Sequence, residues 1–440
     1  MKTKRFAWCF LVTAVLLSAC EKSVSEESVY LSDTSLEKQC PYIVSQEEAI
    51  EEVNNLLNII DENSTRGVHD RRSIESVDLI HQDISPVRAE SDNFSFEGIY
   101  VISFANDEGF ALASADSRTT PVFCIVDKGT FSLDENISPA LAVFLDNLDK
   151  ALQDTLSPLY LKNVETDTVN TSSTRSTTYG DWQIVSQVNP KISTLWHEAW
   201  PYNQYFPSYP TGVVGPTPAF NGHFPTGSST VAVGQIIAAM EITHNPPVYY
   251  NLNNYDWTAM KTPGNYTYVA SFLRDIGECF FSNWGEEETT CDLGRVRDYL
   301  IDDWGCTVIK ESDADSHVED AVSFLAETPL KNNLIYSRAD SGRRTFLGIP
   351  IEYSGDYAWA IDGCVIRQRT KTTTNIFGHT STSTETQRLL HCNMGYLTNA
   401  YNGYYVNTDF TAPLTSPTSN AIVLESQNLI YRNKFLYISK

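Results

Sequence analysis

Positive charge is scarce in this chain: 31 Lys and Arg stand against 55 Asp and Glu in 440 residues, a formal net charge of −24. So acidic a surface repels phosphate backbones and argues against a nucleic-acid partner. No Gly-rich phosphate loop, zinc-ligand spacing or calcium loop is found, so neither a cofactor nor a metal is expected. After the first twenty residues no stretch is long and apolar enough to span a bilayer, which takes roughly 20 residues. No repeat period is evident. What is present is ordinary globular composition, 42% hydrophobic and 12% aromatic, which excludes wholesale disorder.

The amino terminus carries Lys2, Lys4 and Arg5, then a short apolar run from Phe6 that ends in Leu17-Ser18-Ala19-Cys20. A basic start, a short apolar core and small residues at its end describe an export signal. The ending resembles the bacterial lipobox, in which the cysteine is acylated and anchors the mature protein. Glu21 follows, where an aspartate would argue for inner-membrane retention. The expectation is an exported lipoprotein of a Gram-negative outer membrane or cell surface, anchored through Cys20. Of nine cysteines, Cys9 leaves with the signal and Cys20 carries lipid. The remainder, Cys40, Cys124, Cys279, Cys291, Cys306, Cys364 and Cys392, are expected mainly as buried thiols, with no disulfide predicted.

Residues 21–39 are rich in Ser and Glu and suit a tether. Ser45 and Glu48 form a capping-box pattern ahead of apolar residues at helical spacing from Ala49 to Ile60. Tyr100–Phe104 and Phe110–Ser114 flank Asn106-Asp107-Glu108-Gly109, a hairpin pattern, and Pro121–Val126 suits another strand. Ser138-Pro139 opens a second helix through Leu152. Residues 166–179 are dominated by Ser and Thr and are expected to link two domains, 40–165 and 180–440. In the second domain, Val231–Ile242 leaves almost no polar face, the mark of a core helix. Ser228–Thr230 are N-cap candidates, and Asn245-Pro246-Pro247 a stop. Thr370–Thr384 is expected to be an exposed loop.

Certain segments are more specific. Leu195-Trp196-His197-Glu198-Ala199-Trp200-Pro201-Tyr202-Asn203 resembles the opening motif Trp-x-Gln-x-x-Pro-Tyr-Asn of the streptopain family, secreted bacterial cysteine peptidases with a papain-like fold. Gly227–Ile236 is similar to its Gly-Cys-Val-Ala-x-Ala-x-Gly-Gln-Ile helix. Gly355–Gly363 is similar to its Gly-His-Ala-Trp-x-x-Asp-Gly strand. His391-Cys392-Asn393-Met394-Gly395-Tyr396 and Asn402-Gly403-Tyr404-Tyr405 resemble its His-Cys-Asn-Trp-Gly-Trp and Asn-Gly-Tyr-Tyr segments, and Tyr255-Asp256-Trp257 is a minor mark. Gly98–Asp116 resembles the family's inhibitory propeptide. The resemblance covers most of residues 40–435. It implies an α+β fold: a papain-like domain, with a central buried helix packed on an antiparallel sheet, behind a small α+β propeptide domain.

The family's catalytic roles then fall on unexpected residues. The nucleophile position is Ser228, and a serine hydroxyl needs a base far more than a thiol does. The histidine position is Tyr357, a phenol with ordinary pKa about 10. The oxyanion-hole glutamine is Glu198, whose charge would repel a developing oxyanion. The shielding tryptophan is Met394. Only Asn393, the orienter, is retained. His391 and Cys392, as neighbours on a strand, point to opposite faces and cannot form a dyad; their counterparts in the active family are structural, so the resemblance implies core packing. His197 is expected at the surface. The resemblance therefore implies a peptidase homologue without thiol chemistry, whose partners are a peptide, a protein or a related active peptidase, its own prodomain, and the membrane through the lipid. The alternatives are an active endopeptidase made as a zymogen, possibly serine-type through Ser228, and an inhibitor acting through the prodomain.

Overall fold

The computed structural model describes residues 43–62, 72–81, 98–133, 138–152, 176–210, 218–241, 255–280, 282–285, 289–313, 321, 324–325, 333–339, 342–346, 349–353, 357–374, 378–396, 401–406 and 433–439. The expected signal, tether and Cys20 anchor lie outside these residues. So do Cys40, the first ten residues of the Ser/Thr-rich stretch, Asn245-Pro246-Pro247 and Gly355-Asp356.

Six helices are described: α1 (Gln46–Glu62), α2 (139–152), α3 (Ser228–Met240), α4 (Trp257–Lys261), α5 (Tyr266–Cys279) and α6 (Leu293–Asp298). The strands are β1 (Ile74–Ile80), β2 (Ile99–Phe104), β3 (Phe110–Ser114), β4 (Val122–Val126), β5 (Ser176–Tyr179), β6 (Gln183–Val188), β7 (Asn283–Trp284), β8 (Thr289–Thr290), β9 (Thr307–Asp313), β10 (Leu334–Ala339), β11 (Gly342–Phe346), β12 (Ile349–Tyr353), β13 (Tyr357–Thr374), β14 (Thr380–Asn393), β15 (Gly403–Val406) and β16 (Asn433–Ser439). The capping box forms as the sequence suggests. Glu48 N donates to Ser45 Oγ at 3.2 Å and Ser45 N to Glu48 Oε2 at 2.9 Å. The expected hairpin is β2–β3, paired from Ser103–Phe110 to Ile99–Ser114.

One antiparallel sheet runs through residues 43–439 in the order β1-β2-β3-β4-β15-β14-β13-β10-β16-β9, with β5 and β6 also paired to β13. Here the structure departs from two expectations. Thr370–Thr384 is not a loop: β13 and β14 pair through Thr374–Thr380, because β-branched threonines suit a pleated, half-exposed surface. Ser176–Tyr179, in the Ser/Thr-rich stretch, is an exposed strand on that same hairpin.

Strand alternation along β13 divides the core. Tyr357, Trp359 and Ile361 enter an apolar cluster that contains α2, while Ala358 and Ala360 enter another that contains α3 and α5. A third cluster sets α1 against Val365, Leu389 and Tyr404. Every residue of α3 except Ala239 is buried, as its apolar circumference requires.

Candidate functional site

The start of α3 is fixed by Gly227. This residue, not Ser228 or its neighbours, is the N-cap, with φ 90° and ψ 132°. A Cβ there would stand 2.8 Å from the Thr289 carbonyl oxygen, so only glycine fits both the space and the backbone conformation. Ser228 is therefore the first helical residue, at the positive end of the helix dipole. Its Oγ accepts a hydrogen bond from the Ala358 N–H at 3.1 Å. The helix ends at Met240, with Glu241 in the left-handed conformation, before the prolines expected to stop it.

The bond from Ala358 N to Ser228 Oγ fixes the start of β13 against the helix, with Tyr357 one residue before the donor and its side chain in the apolar cluster that contains α2. Its hydroxyl donates to the Met394 carbonyl at 3.0 Å, and its ring meets Tyr396 edge-on at 6.3 Å. Gly395 crosses the first turn of α3, where a Cβ would meet Val231 Cγ1 at 2.8 Å. This carries Asn393, Met394 and Tyr396 over the helix. Glu198 enters from the other side, its carbonyl accepting from Thr226 N at 3.1 Å. Burial, joined by the Glu198 carboxylate, pushes the Tyr396 phenol up to about 12. Glu198, Ser228, Tyr357, Asn393 and Met394 thus gather around the first two turns of α3. Ser228, Tyr357, Asn393 and Met394 are all buried.

Asn393 is occupied on both sides of its amide. Oδ1 accepts from Gln235 Nε2 at 3.0 Å and Nδ2 donates to the Thr194 carbonyl at 3.1 Å. Gln235 was not singled out from the sequence. Its Oε1 also accepts from Thr194 Oγ1 at 3.0 Å and Trp196 N at 3.3 Å. The signal was there: one amide in an otherwise apolar helix, seven residues and about two turns after Ser228. A fully buried amide must find partners, and this one ties three separated segments together.

His197 is half-buried rather than on the surface. Its ring packs edge-on against Tyr202 at 4.6 Å, its Nδ1 accepts from Ala199 N at 3.3 Å, and burial lowers its pKa to about 4. His391 is a core residue, as expected, but a charged one. Its Nδ1 lies 2.6 Å from Asp362 Oδ1 and its Nε2 3.8 Å from Asp127 Oδ2. Burial opposes the imidazolium, yet the two carboxylates outweigh it and raise the pKa to about 9. Asp362 also accepts from Ile192 N at 2.7 Å. All six described cysteines are free. Among the described residues no His, Cys, Asp and Glu group could hold a metal.

Residues 41–152 match the family model of the Spi protease inhibitor. Among solved structures, a prointerpain A fragment from Prevotella intermedia is similar at 16% identity and TM-score 0.45, covering 82% of this chain and 98% of that one. Active wild-type interpain A cysteine protease from the same organism is similar at 18% identity and TM-score 0.34, covering 57% and 95%. No curated protein matches the chain. The inhibitor-family match falls on the segment expected to be the propeptide, and the mixed helix and antiparallel-sheet architecture is of the α+β class expected from the sequence.

Proposed function

We propose that this protein is a streptopain-like peptidase homologue that binds a peptide or protein without cleaving it. The observation that carries the reading is the pairing at α3. The residue first in the helix is a serine whose oxygen accepts from the Ala358 N–H, and the residue before that donor is a phenol whose proton is given to a carbonyl. A serine nucleophile needs a base within hydrogen-bond reach that is free to take its proton. His197, the imidazole nearest in sequence, is held neutral with Nδ1 turned to its own backbone. A conjugate acid of pKa about 4 makes a weak base for a hydroxyl. The Glu198 carboxylate near the helix start disfavours a tetrahedral oxyanion.

The test is hydrolysis of casein and unfolded peptides by the purified full chain, with fluorophosphonate labelling alongside. Neither cleavage nor label on Ser228 is expected. Wild-type cleavage abolished by Ser228→Ala would replace this reading with an active serine-type peptidase. A second reading, inhibition of other peptidases, is favoured by the family match over residues 41–152. It requires that segment to inhibit when added in trans. Anchoring through Cys20 at a Gram-negative outer membrane belongs to the same proposal. Incorporation of labelled palmitate into wild type but not Cys20→Ser is its measurement.

A further inference from the structure

We propose that the N-terminal segment, through residue 152, is not a detachable propeptide but a permanent subunit of this fold, which stays seated on residues 176–439 even when the chain between them is cut. The inference is independent of whether Ser228 performs chemistry.

Three separate sets of contacts carry it. The first is backbone. β4 pairs with β15, Gly403 opposite Val126 and Tyr405 opposite Cys124. The pairing continues beyond the strands, with Asp127 N donating to Asn402 O at 2.8 Å and Tyr401 N to Lys128 O at 3.1 Å. A Cβ on Gly403 would lie 2.3 Å from the Ile125 carbonyl oxygen, so glycine permits the close approach of the two halves. Separation would leave this seam as two open strand edges, the state that folded sheets cover or blunt.

The second set is a buried chain of charge. Arg72 Nη2 lies 2.9 Å from Asp127 Oδ1, Asp127 faces His391, and His391 faces Asp362. Two members come from each half. Pulling the halves apart would break the Asp127–His391 contact, leaving the buried imidazolium with one carboxylate and Asp127 with Arg72 alone. Breaking such pairs is costly because the remaining charge stays desolvated.

The third set centres on Glu52 of α1. Its carboxylate takes Arg369 Nη1 and Trp182 Nε1, the latter at 2.7 Å, with Arg367 Nη2 at 3.7 Å. The Arg367 and Arg369 guanidiniums both lie over the Trp182 ring, at 4.2 and 4.4 Å from its centroid, and Arg369 also lies 4.0 Å from the Tyr179 ring centroid. Stacked guanidiniums of this kind hold by cation–π attraction as well as by charge. Trp182 and Tyr179 flank the turn between β5 and β6, on the C-terminal side of the segment 153–175. The clamp therefore stays with both halves wherever that segment is cut. Apolar packing continues across the same boundary. Phe144 of α2 meets Tyr405 edge-on at 4.9 Å, and α1 covers Val365 and Leu389.

The experiment places a site-specific protease sequence between residues 152 and 176 of the full chain, cleaves it, and follows both products by native mass spectrometry and gel filtration. Both fragments are expected to travel together at the uncut mass and to unfold in one thermal transition. Release of the N-terminal fragment in native buffer at about 0.15 M salt would overturn the proposal. Glu52→Gln is expected to weaken the association of the cut halves by at least about tenfold, the loss typical of a partly buried charge hub. Asp107→Asn, which touches only Lys128 of the same half, is expected to leave it unchanged. Equal effects from the two variants would remove Glu52 from the interface. Should Glu52→Gln prevent folding of the uncut chain, Trp182→Phe keeps the stacked ring, removes only the indole donor, and carries the same expectation.

Discussion

Two places in this molecule bring together the residue types of hydrolytic chemistry, and they divide them oppositely. At the start of α3, on the function proposed above, the position is right and the groups are wrong: a serine at the helix terminus, a phenol at the head of the strand bonded to it, and a carboxylate where a neutral amide would stabilise an oxyanion. In the seam where β4 meets β15 the groups are right and the position is wrong. His391 lies between Asp362 and Asp127, buried and charged, and among the described residues it faces these carboxylates and the Tyr404 ring rather than a serine or thiol. An imidazole flanked by two carboxylates with its pKa raised to about 9 is protonated near neutral pH, so it is an ion-pair partner rather than a base. Perturbed titration marks function only when it leaves the group in the state the reaction requires.

The sharpest way to break this contrast is to remove Asp362. Asp362→Ala takes away the closest partner of the buried imidazolium and the acceptor for Ile192 N. A loss of about 3–5 kcal/mol is expected, in the range for removing one member of a buried pair, read as the urea midpoint at neutral pH. A loss below about 1 kcal/mol would place the pair with weak surface bridges instead.

The same cluster sets a pH dependence. His391 has a raised folded pKa, so its contribution is fully present below the unfolded value near 6.5 and is lost as pH rises through about 9. The groups facing it are Asp362 and Asp127, the Tyr404 ring at 4.9 Å, and Arg72 beyond Asp127. Stability is expected to fall by roughly 3 kcal/mol between pH 6 and pH 10, with the fall absent in His391→Gln. Urea titrations at pH 6, 8 and 10 measure it. An unchanged slope in the variant would assign the fall to other groups.

The two regions also differ in how far the sequence reveals them. The residues that gather at α3 were legible, because they lie within short motifs: Gly227 before Ser228, Tyr357 at the head of one strand, Asn393-Met394 at the end of another. The seam was not. Asp362 and His391 meet across the β13–β14 hairpin, but Asp127 follows β4, far away in sequence, and the β4–β15 pairing sets it near the others. A pattern of spacing along the chain carries no information about which sheet edges join. The extension of β13 and β14 through Thr370–Thr384 failed for a different reason. Ser and Thr enrichment suggests a loop by composition, yet alternating β-branched residues also fit a half-exposed ribbon.

Gln235 tests the α3 site at smaller scale. Gln235→Leu preserves helix propensity and much of the volume. It leaves Asn393 Nδ2 its bond to Thr194 O but removes the partner of Asn393 Oδ1, Thr194 Oγ1 and Trp196 N. Leaving buried polar groups unsatisfied costs about 1–3 kcal/mol, measurable by thermal or urea unfolding. Because the amide holds the segment from Thr194 to Trp196 against the helix, the variant is also expected to raise amide exchange at Trp196.

The smallest effect is expected at Tyr357. Tyr357→Phe keeps the ring, its packing against Tyr396 and the strand, and deletes only the hydroxyl that donates to the Met394 carbonyl. A loss of about 1 kcal/mol is expected, the net value of one such bond, with far-UV and near-UV spectra unchanged. The variant separates two roles that the sequence alone leaves superposed. As a brace for the Met394 turn, the phenol contributes stability and nothing to turnover. As a base for Ser228, its removal would extinguish any hydrolysis or fluorophosphonate labelling seen in wild type at alkaline pH. Labelling of wild type that disappears with the hydroxyl would move Tyr357 from the first role to the second.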